Sequence, residues 1–192
     1  EVNQRKVVSI MEPWPRAAEP EEIKVGWRRL VRKVFTDPEG REQEYYTKES
    51  IGTVCIATIA LTPENNVVVA EQFRPGPEKI LEELPGRGAE AGENIELAAA
   101  RELHEETGYR VGTIRHLGAV YKDAYSNVES HYFLARDCVK DGGQHTDDGE
   151  YINVKEIAIA KLFENARTLM MTDTEAILLA YDELKKIQEG AS

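Results

Sequence analysis

Apolar and polar residues follow two different periods along the chain, and together they predict a sheet with helices packed on it. Short apolar runs rich in β-branched residues predict strands. These runs are 53–61, 66–73, 111–121, 130–139 and 151–159. Apolar positions at helical spacing predict a helix from about residue 95 and two more at about 160–170 and 173–188. Strands and helices in this order predict an α+β fold, with helices on both sides of a mixed β-sheet.

The N-terminal part of the chain predicts a small β element of its own. The segment 7–11 is compatible with a short strand, and 24–50 is typical of two β segments around the turn Asp37-Pro38-Glu39-Gly40. Pro at the second position and Gly at the fourth position are favoured in such turns. We therefore predict an N-terminal antiparallel β appendage over residues 1–50 and a main domain over residues 51–192.

Composition and net charge argue against some classes of binding partner. A chain of 192 residues suits one domain of ordinary size with a small appendage. Its net charge of −11 argues against a general binder of nucleic acid or of anionic membranes. No apolar run approaches the roughly 18 residues of a membrane helix. We see no secretory signal and expect Cys55 and Cys138 to be buried free thiols, so we predict a cytoplasmic protein.

The densest group of carboxylates lies on the helix that follows a glycine-rich loop. Glu102 and Glu106 are four residues apart and lie on one helix face, where Glu105 can join them or pair with Arg101. Like charges at this spacing destabilise a bare helix, so the cluster favours a bound cation. Mg²⁺ takes oxygen ligands and binds through a few carboxylates together with substrate phosphates. A solvated acidic helix face is the alternative, and Gly108 is the expected helix C-cap.

The wider pattern around this cluster resembles the Nudix box, G-x5-E-x7-R-E-U-x-E-E-x-G-U, in which U is aliphatic or aromatic. Glu93 is followed after the required gap by Arg101, and the segment 101–109, RELHEETGY, meets each later fixed position. The opening glycine of the box falls on Arg87, which has a glycine on either side and is the one departure from the pattern. The resemblance implies a Nudix α/β/α sandwich that hydrolyses a nucleoside diphosphate linked to another moiety.

Four further stretches resemble the ADP-sugar (ADP-ribose) pyrophosphatases of that family. They are EQFRP at 71–75, LPG at 84–86, DGEYINV at 148–154 and the hairpin with its D-P-x-G turn. The subfamily's arginine in the first stretch reaches the substrate phosphates, which suits the paired donors of Arg74. Pairing of this arginine with Glu82 or Glu83 is the alternative. The third stretch makes Glu150 a candidate general base, with Asp148 as the fallback, unless this acid merely starts a strand.

The hairpin resembles a base-binding element. In dimeric members of the subfamily, two aromatic residues flanking the turn hold the adenine between them, one from each subunit. Trp27 stands ten residues before Asp37 and Tyr45 stands eight residues after it, which matches that arrangement. Aromatic stacking on a base is worth about 1–3 kcal/mol in nucleic-acid systems. The resemblance therefore implies a homodimer through the N-terminal β appendage, although these aromatics could instead pack in a hairpin or dimer core.

The resemblance also implies roles for the remaining candidate residues. Mg²⁺, with Mn²⁺ as an alternative, would be held by Glu102, Glu105, Glu106 and the carbonyl of Gly86. The catalytic group would comprise Glu105, Glu106, Glu150 and Arg101. Within it a carboxylate accepts a proton from water, while the arginine orients the box and Glu93 braces the loop or helix. Glu129 would lie near the terminal ribose, where the sequence fits the subfamily least closely, and the four histidines are assigned no chemistry.

These features together predict metal-dependent hydrolysis of a small nucleotide sugar, with ADP-ribose giving AMP and ribose 5-phosphate. Another nucleotide sugar, such as GDP-mannose, or a dinucleotide is the nearest alternative substrate. A non-catalytic nucleotide-binding Nudix protein is a further alternative, which only Arg87 favours. The acidic charge and the lack of any basic stretch disfavour an RNA-decapping enzyme. We expect no nucleic-acid and no membrane partner.

Overall fold

The chain divides into two compact units, and the computed structural model describes residues 12–90, 92–145 and 151–190. The first unit contains the described residues up to Ile51 together with Tyr125–Asn127, and the second contains the other described residues. The strand expected at 7–11 lies outside the described residues. The roles assigned to domains 1–50 and 51–192 stay predictions.

The first unit is a three-stranded antiparallel sheet, which confirms the predicted appendage. Its strands, in the order β1-β2-β3, are β1 (Glu21–Val25), β2 (Arg28–Thr36) and β3 (Glu42–Lys48). Only two β segments were expected here. The third strand forms because Gly26, with φ 61°, turns the chain and lets β1 pair with β2. The expected turn joins β2 to β3, and the N–H of Gly40 donates to the carbonyl of Asp37 at 2.9 Å.

The carboxylate of Asp37 holds that turn together. It accepts hydrogen bonds from the backbone N–H groups of Glu39 and Arg41, both at 2.9 Å. It also accepts from the side chains of Arg41 and Gln43, both at 3.0 Å. These bonds, that from the Arg41 N–H above all, lower the pKa of Asp37 from 3.8 to about 2. The charged form of this side chain is therefore the form that the fold prefers.

We expect Asp37 to make the first unit sensitive to acid. A carboxyl group whose pKa is lower in the folded chain stabilises the fold above its unfolded pKa, and this stabilisation is lost as the pH falls through the folded value. The difference in Tm between the wild type and Asp37→Asn should therefore shrink between about pH 4 and pH 2. Thermal unfolding followed by circular dichroism measures it, with Asp182→Asn as an exposed control. A difference that stays constant over this range would refute the assignment.

The second unit is built on a six-stranded mixed sheet. The strands of this unit are β4 (Val54–Leu61), β5 (Val67–Arg74), β6 (Lys79–Glu83), β7 (Tyr109–Arg110), β8 (Thr113–Val120), β9 (Glu129–Arg136), β10 (Val139–Lys140) and β11 (Asn153–Ile157). The order across the sheet is β11-β5-β4-β9-β8, and β6 pairs with β5. Strands β4 and β9 are parallel, whereas the other neighbours are antiparallel. Strands β7 and β10 form a separate ribbon.

Helices cover both faces of this sheet, as predicted. They are α1 (Ile95–Thr107), α2 (Ile159–Asn165) and α3 (Thr174–Gln188). Side chains alternate along β4, so Ile56 joins a buried cluster with Ala98 of α1. Ile59 projects to the other face and joins the cluster that contains Leu162 of α2 and Ala180 of α3. Within the described part of the chain, no helix combines the length and the apolar character that crossing a membrane requires.

Helix α2 ends earlier than predicted, at Asn165 rather than near residue 170. The chain beyond it runs beside β6, a strand that the sequence did not predict. The N–H of Glu82 donates to the carbonyl of Met170 at 2.9 Å, and the N–H of Thr172 donates to the carbonyl of Glu82 at 3.2 Å. Directly after the helix, the N–H groups of Arg167 and Thr168 donate to the carbonyls three residues earlier, at 3.1 and 3.2 Å, so the helical pattern stops before this segment reaches β6.

Both cysteines carry free thiols. Cys138 is buried as expected, whereas Cys55 is only half-buried. Burial raises the pKa of the Cys138 thiol to about 11, so it stays protonated at neutral pH. This cysteine packs as a small apolar residue, in the cluster that also contains Leu103 of α1.

Candidate active site

Helix α1 carries the carboxylates and is capped at both ends. The side-chain oxygen of Asn94 accepts from the N–H groups of Glu96 and Leu97 at 3.0 and 3.1 Å. At the other end Gly108 is the predicted C-cap, with φ 73° and its N–H donating to the carbonyl of His104 at 2.8 Å. The N-cap was not predicted, although Asn is among the residues favoured there. The two caps fix where the helix begins and ends, so Glu102, Glu105 and Glu106 all lie inside it.

Arg101 lies at the centre of the carboxylate cluster. Its Nη1 donates to Glu102 at 2.8 Å and to Glu105 at 2.9 Å. Its Nε and Nη2 donate to the two oxygens of Glu93 at 3.1 and 3.2 Å. The hydrogen bonds from Arg101 lower the pKa of Glu93, and those to Glu93 are the largest cause that raises the pKa of Arg101. One guanidinium thus links three carboxylates; its orienting role in turnover stays a prediction.

Glu102 is nearly buried, with 5% of its surface exposed. Burial is the largest cause that raises its pKa, the hydrogen bond from Arg101 opposes this, and the charge of Glu105 adds to it. A carboxylate in such a place is stabilised by any further positive charge that approaches it. The electrostatics of this helix face therefore favour the binding of a cation.

The glycine-rich loop runs beside β4 and reaches the helix. The carbonyl of Pro85 accepts from the N–H of Thr58 at 2.9 Å, and the N–H of Gly86 donates to Oε2 of Glu106 at 3.0 Å. Gly86 has φ 151°, and a Cβ at this position would lie 2.1 Å from the carbonyl oxygen of Ile56. Only glycine fits here. The glycine that this loop requires is therefore one position before the glycine of the box.

Arg87 occupies that box position without breaking the loop. Its carbonyl accepts from the N–H of Ile56 at 2.8 Å, and the next residue, Gly88, forms a β-bridge with Cys55. The side chain of Arg87 is exposed. The loop thus continues along β4 with an arginine in place of the box glycine.

Arg74, the expected phosphate-binding arginine, makes a paired salt bridge in this structure. Its Nε and Nη2 donate to the two carboxylate oxygens of Glu83, which is one of the partners that the sequence left open. These bonds are the largest cause that raises the pKa of Arg74, and the charges of Asp173 and Glu106 contribute less. The guanidinium therefore lies within electrostatic reach of Glu106, and 43% of the side chain is exposed. Phosphate binding by Arg74 stays a prediction.

A charge pair near Arg74, made by an exposed lysine and a mostly buried aspartate, was not predicted. Lys122 and Asp173 form an ion pair at 2.5 Å, and Asp173 has a left-handed backbone with φ 57°. Burial is the largest single cause that acts on the pKa of Lys122, and it lowers this pKa. The negative charge of Asp173 is the main reason that the pKa is nevertheless raised. These residues are 51 positions apart, so only the tertiary structure brings them together.

The two aromatic residues expected to hold a base lie at different points of the first unit. Trp27 is in the turn between β1 and β2 and is 77% exposed, with the guanidinium of Arg28 4.1 Å from its ring centre. Tyr45 lies opposite Lys33 of β2, and its ring centre is 6.1 Å from that of Phe35. Lys33 is six residues beyond Trp27 along the chain, which separates the two aromatics by about 20 Å. One chain therefore cannot close both rings on one base.

The other candidate residues are placed as follows. Glu129 begins β9, where the hydroxyl of Tyr121 donates to it at 3.3 Å and Nε2 of His131 lies 3.8 Å away. The candidate base Glu150 and its fallback Asp148 lie outside the described residues. Both their roles and the ribose contact expected of Glu129 stay predictions.

The donor atoms on α1 suit a hard divalent cation. Glu102, Glu105 and Glu106 offer carboxylate oxygens from one helix face, and the backbone of Gly86 meets Glu106. Oxygen ligands of this kind are those that Mg²⁺ and Mn²⁺ prefer. In residues 12–90, 92–145 and 151–190, no three His, Cys, Asp or Glu side chains converge as a metal site, and Arg101 holds two of the carboxylates. These residues therefore match a Mg²⁺ or Mn²⁺ site in the type of donor atom that they offer.

Comparison with known proteins agrees with the box. The NUDIX domain matches residues 53–177. The ADP-ribose pyrophosphatase of Bacillus subtilis (strain 168) is 29% identical over 134 residues, which cover 68% of this chain and 72% of that protein. The ADP-ribose pyrophosphatase of Saccharomyces cerevisiae is 32% identical over 107 residues, covering 50% of this chain and 46% of that protein.

A solved structure of an ADP compounds hydrolase has the same fold. The TM-score is 0.77 at 15% sequence identity, and the alignment covers 95% of this chain and 99% of the other. The matched NUDIX domain spans more than half of the chain and includes the loop, the carboxylate helix and all six strands of the mixed sheet. The prediction of a Nudix hydrolase that resembles the ADP-ribose pyrophosphatases is confirmed. The chain therefore belongs to the Nudix family.

Proposed function

We propose that this Nudix protein hydrolyses the pyrophosphate of a nucleoside diphosphate sugar in a Mg²⁺-dependent reaction, converting ADP-ribose to AMP and ribose 5-phosphate. The observation that carries the proposal is the carboxylate face of α1, where Arg101 links three glutamates and the N–H of Gly86 holds Glu106. The relatives named ADP-ribose pyrophosphatase support the choice of substrate. A cytoplasmic location is part of this proposal.

The metal would be held by Glu102, Glu105, Glu106 and the carbonyl of Gly86, with Mn²⁺ able to replace Mg²⁺. When bound, the metal supplies positive charge to the pyrophosphate and makes water more acidic. Arg101 contributes by linking Glu102 and Glu105, since its Nη1 donates to both carboxylates.

A carboxylate of the chain accepts the proton of the attacking water. Glu105 suits this role better than Glu102, because its side chain is 41% exposed whereas that of Glu102 is 7% exposed. Glu106 and Glu150 are the other candidates. Arg74 positions the phosphates, since its guanidinium lies near the charge of Glu106 and keeps part of its surface open.

The adenine of the substrate is held by Trp27 of one subunit and Tyr45 of the other in a homodimer. The distance of about 20 Å between these residues along one sheet supports this arrangement, because a single chain cannot supply both rings. The guanidinium of Arg28 covers one face of the Trp27 ring, and the high exposure of Trp27 leaves the other face accessible to a ligand.

Replacing Trp27 by Ala is expected to raise KM for ADP-ribose by about tenfold, because one stacking contact is worth about 1–3 kcal/mol. The KM of a substrate analogue without adenine should stay within about twofold of the wild type, since the contact to the base is the only one removed. Initial-rate kinetics on both substrates measure this. Tyr46→Ala serves as control, because Tyr46 is also an exposed aromatic of this sheet. Equal increases of KM for the two substrates would count against the base contact.

A substrate panel tests the proposed function. ADP-ribose, ADP-glucose, GDP-mannose and a diadenosine polyphosphate are incubated with Mg²⁺, and the phosphate esters formed are identified. We expect ADP-ribose to be cleaved most efficiently. If GDP-mannose is preferred, the reaction class stands and the proposed adenine site is wrong. If ADP-glucose or the dinucleotide is preferred, the reaction class and the adenine site stand and the proposed sugar is wrong. If ADP-ribose binds and no substrate is cleaved, the protein is a nucleotide-binding Nudix protein without turnover.

A further inference from the structure

The segment 85–89 lies antiparallel beside β4, and its register decides where each side chain points. Gly88 forms an antiparallel bridge with Cys55. The N–H of Ile56 donates to the carbonyl of Arg87 at 2.8 Å, which agrees with the same register. Arg87 therefore stands opposite Ile56.

Residues that stand opposite each other on antiparallel strands project to the same face. Ile56 projects towards α1, because it is buried in one cluster with Ala98 and Ala99 of that helix. Ala89, two positions after Arg87, packs against the same cluster. Arg87 consequently projects its side chain to the face of the sheet on which the carboxylate helix lies.

Electrostatics place the guanidinium of Arg87 near the box carboxylates. Burial is the largest cause that raises the pKa of Glu102, while the positive charges of Arg101 and Arg87 oppose it. The residue before Arg87 is Gly86, whose N–H holds Glu106 at 3.0 Å. The side chain of Arg87 is exposed, so a cation that faces solvent stands at the edge of the carboxylate cluster.

We infer that Arg87 is a further substrate-binding residue, whose guanidinium donates paired hydrogen bonds to the pyrophosphate of the nucleotide sugar. This inference rests on the proposed function. A guanidinium presents two donors in one plane, which fits two oxygens of a phosphate group. The box specifies glycine at this position, and glycine has no side chain that could make the contact. Arg87 thus gives this chain a phosphate contact that the box itself does not provide.

Kinetics of position 87 give the first test. Arg87→Gly restores the residue of the box, Arg87→Ala avoids added backbone freedom, and Arg87→Lys keeps the charge without the paired donors. We expect both Arg87→Gly and Arg87→Ala to raise KM for ADP-ribose on the order of tenfold, and Arg87→Lys to raise it less. The kcat should change by less than about twofold, because the contact forms before and during the reaction. An unchanged KM, or a KM lowered by the return to glycine, would overturn the inference.

Arg115→Ala is the matched control for these variants. Arg115 is exposed on β8 and forms an ion pair with Glu183 of α3. Its loss removes the same charge from the protein. A general effect of net charge would raise KM in this variant as well, and such a result would also overturn the inference.

Binding of inorganic pyrophosphate separates this inference from the proposed function. Calorimetric titration of the wild type and Arg87→Ala with pyrophosphate and with adenosine requires no turnover. We expect Arg87→Ala to weaken pyrophosphate binding on the order of tenfold and to leave adenosine binding unchanged. A wild type that binds pyrophosphate through Arg87 and cleaves no nucleotide sugar would contradict the proposed function alone. Equal pyrophosphate affinities of the two proteins would contradict the inference alone.

Discussion

Replacing Glu106 by Gln is expected to lower kcat for ADP-ribose on the order of a thousandfold, which corresponds to about 4 kcal/mol of lost transition-state stabilisation. The change removes one negative charge from the carboxylate face of α1. The fold should persist, because the amide oxygen of Gln can still accept the hydrogen bond that the N–H of Gly86 donates at 3.0 Å. Steady-state kinetics measure the loss, and the Tm of the variant should stay within a few degrees of the wild type.

Glu96→Gln is the matched control for that variant. Glu96 lies on the same helix, is exposed and stands outside the box pattern. The same chemical change there should leave kcat within about twofold, as surface substitutions away from special features have small effects. A Glu106→Gln variant with near-wild-type activity would contradict the proposed role of the carboxylate face.

Replacing Gly86 by Ala is expected to be strongly destabilising. A Cβ at this position would lie 2.1 Å from the carbonyl oxygen of Ile56 and 2.6 Å from Cα of Ala57, and both are backbone atoms that no side-chain rotation can move. The backbone of Gly86 also has φ 151°, which an L residue adopts at a cost. Overlap and strain together should lower the free energy of unfolding by about 3 kcal/mol or more, and lower Tm by roughly 10 °C. Turnover should fall as well, because the N–H of Gly86 holds Glu106.

Gly88→Ala is the control for this prediction. An added Cβ at Gly88 would lie 3.8 Å from the nearest atom, the carbonyl oxygen of Val54, which is an ordinary contact. We expect a change in the free energy of unfolding within about 0.5 kcal/mol. Thermal and urea unfolding of the two variants give the comparison. Equal stability of Gly86→Ala and Gly88→Ala would show that the loop does not lie against β4 as described.

The helix of the box could be predicted because its signals are local. Glu102, Glu105 and Glu106 lie within two turns of one another, and Gly108 ends the helix by a bond to a residue one turn earlier. The periodicity of apolar residues likewise identified β4 and β5, whose side chains are largely buried. Each of these features depends on residues that are close in sequence.

The partners of the loop could not be predicted, because they come from a distant strand. The sequence indicated that Arg87 replaces the box glycine, but it did not reveal that Gly86 touches the backbone of Ile56. The partner of Arg74 stayed open for a similar reason. Strand β6, which carries Glu83, is short and only partly apolar, so no sequence pattern predicted its pairing with β5.

The base site shows a different limit. Trp27 was identified from its spacing to the D-P-x-G turn. Strand β1, whose pairing with β2 places Trp27 in a second turn, was not predicted. The separation of Trp27 and Tyr45 follows from the register of β2 and β3. A dimer would be needed to bring two such rings together. The sequence pattern of one chain does not show which surfaces of two copies are in contact.

Hydrolysis of ADP-ribose with and without metal tests the central claim most directly. The purified protein is incubated with ADP-ribose and Mg²⁺, then with ADP-ribose and EDTA, and the products are separated and identified. We expect AMP and ribose 5-phosphate in equal amounts with Mg²⁺, no reaction with EDTA, and recovery when Mg²⁺ is added back. Cleavage that persists in EDTA, or no cleavage of ADP-ribose with Mg²⁺, would contradict the central claim.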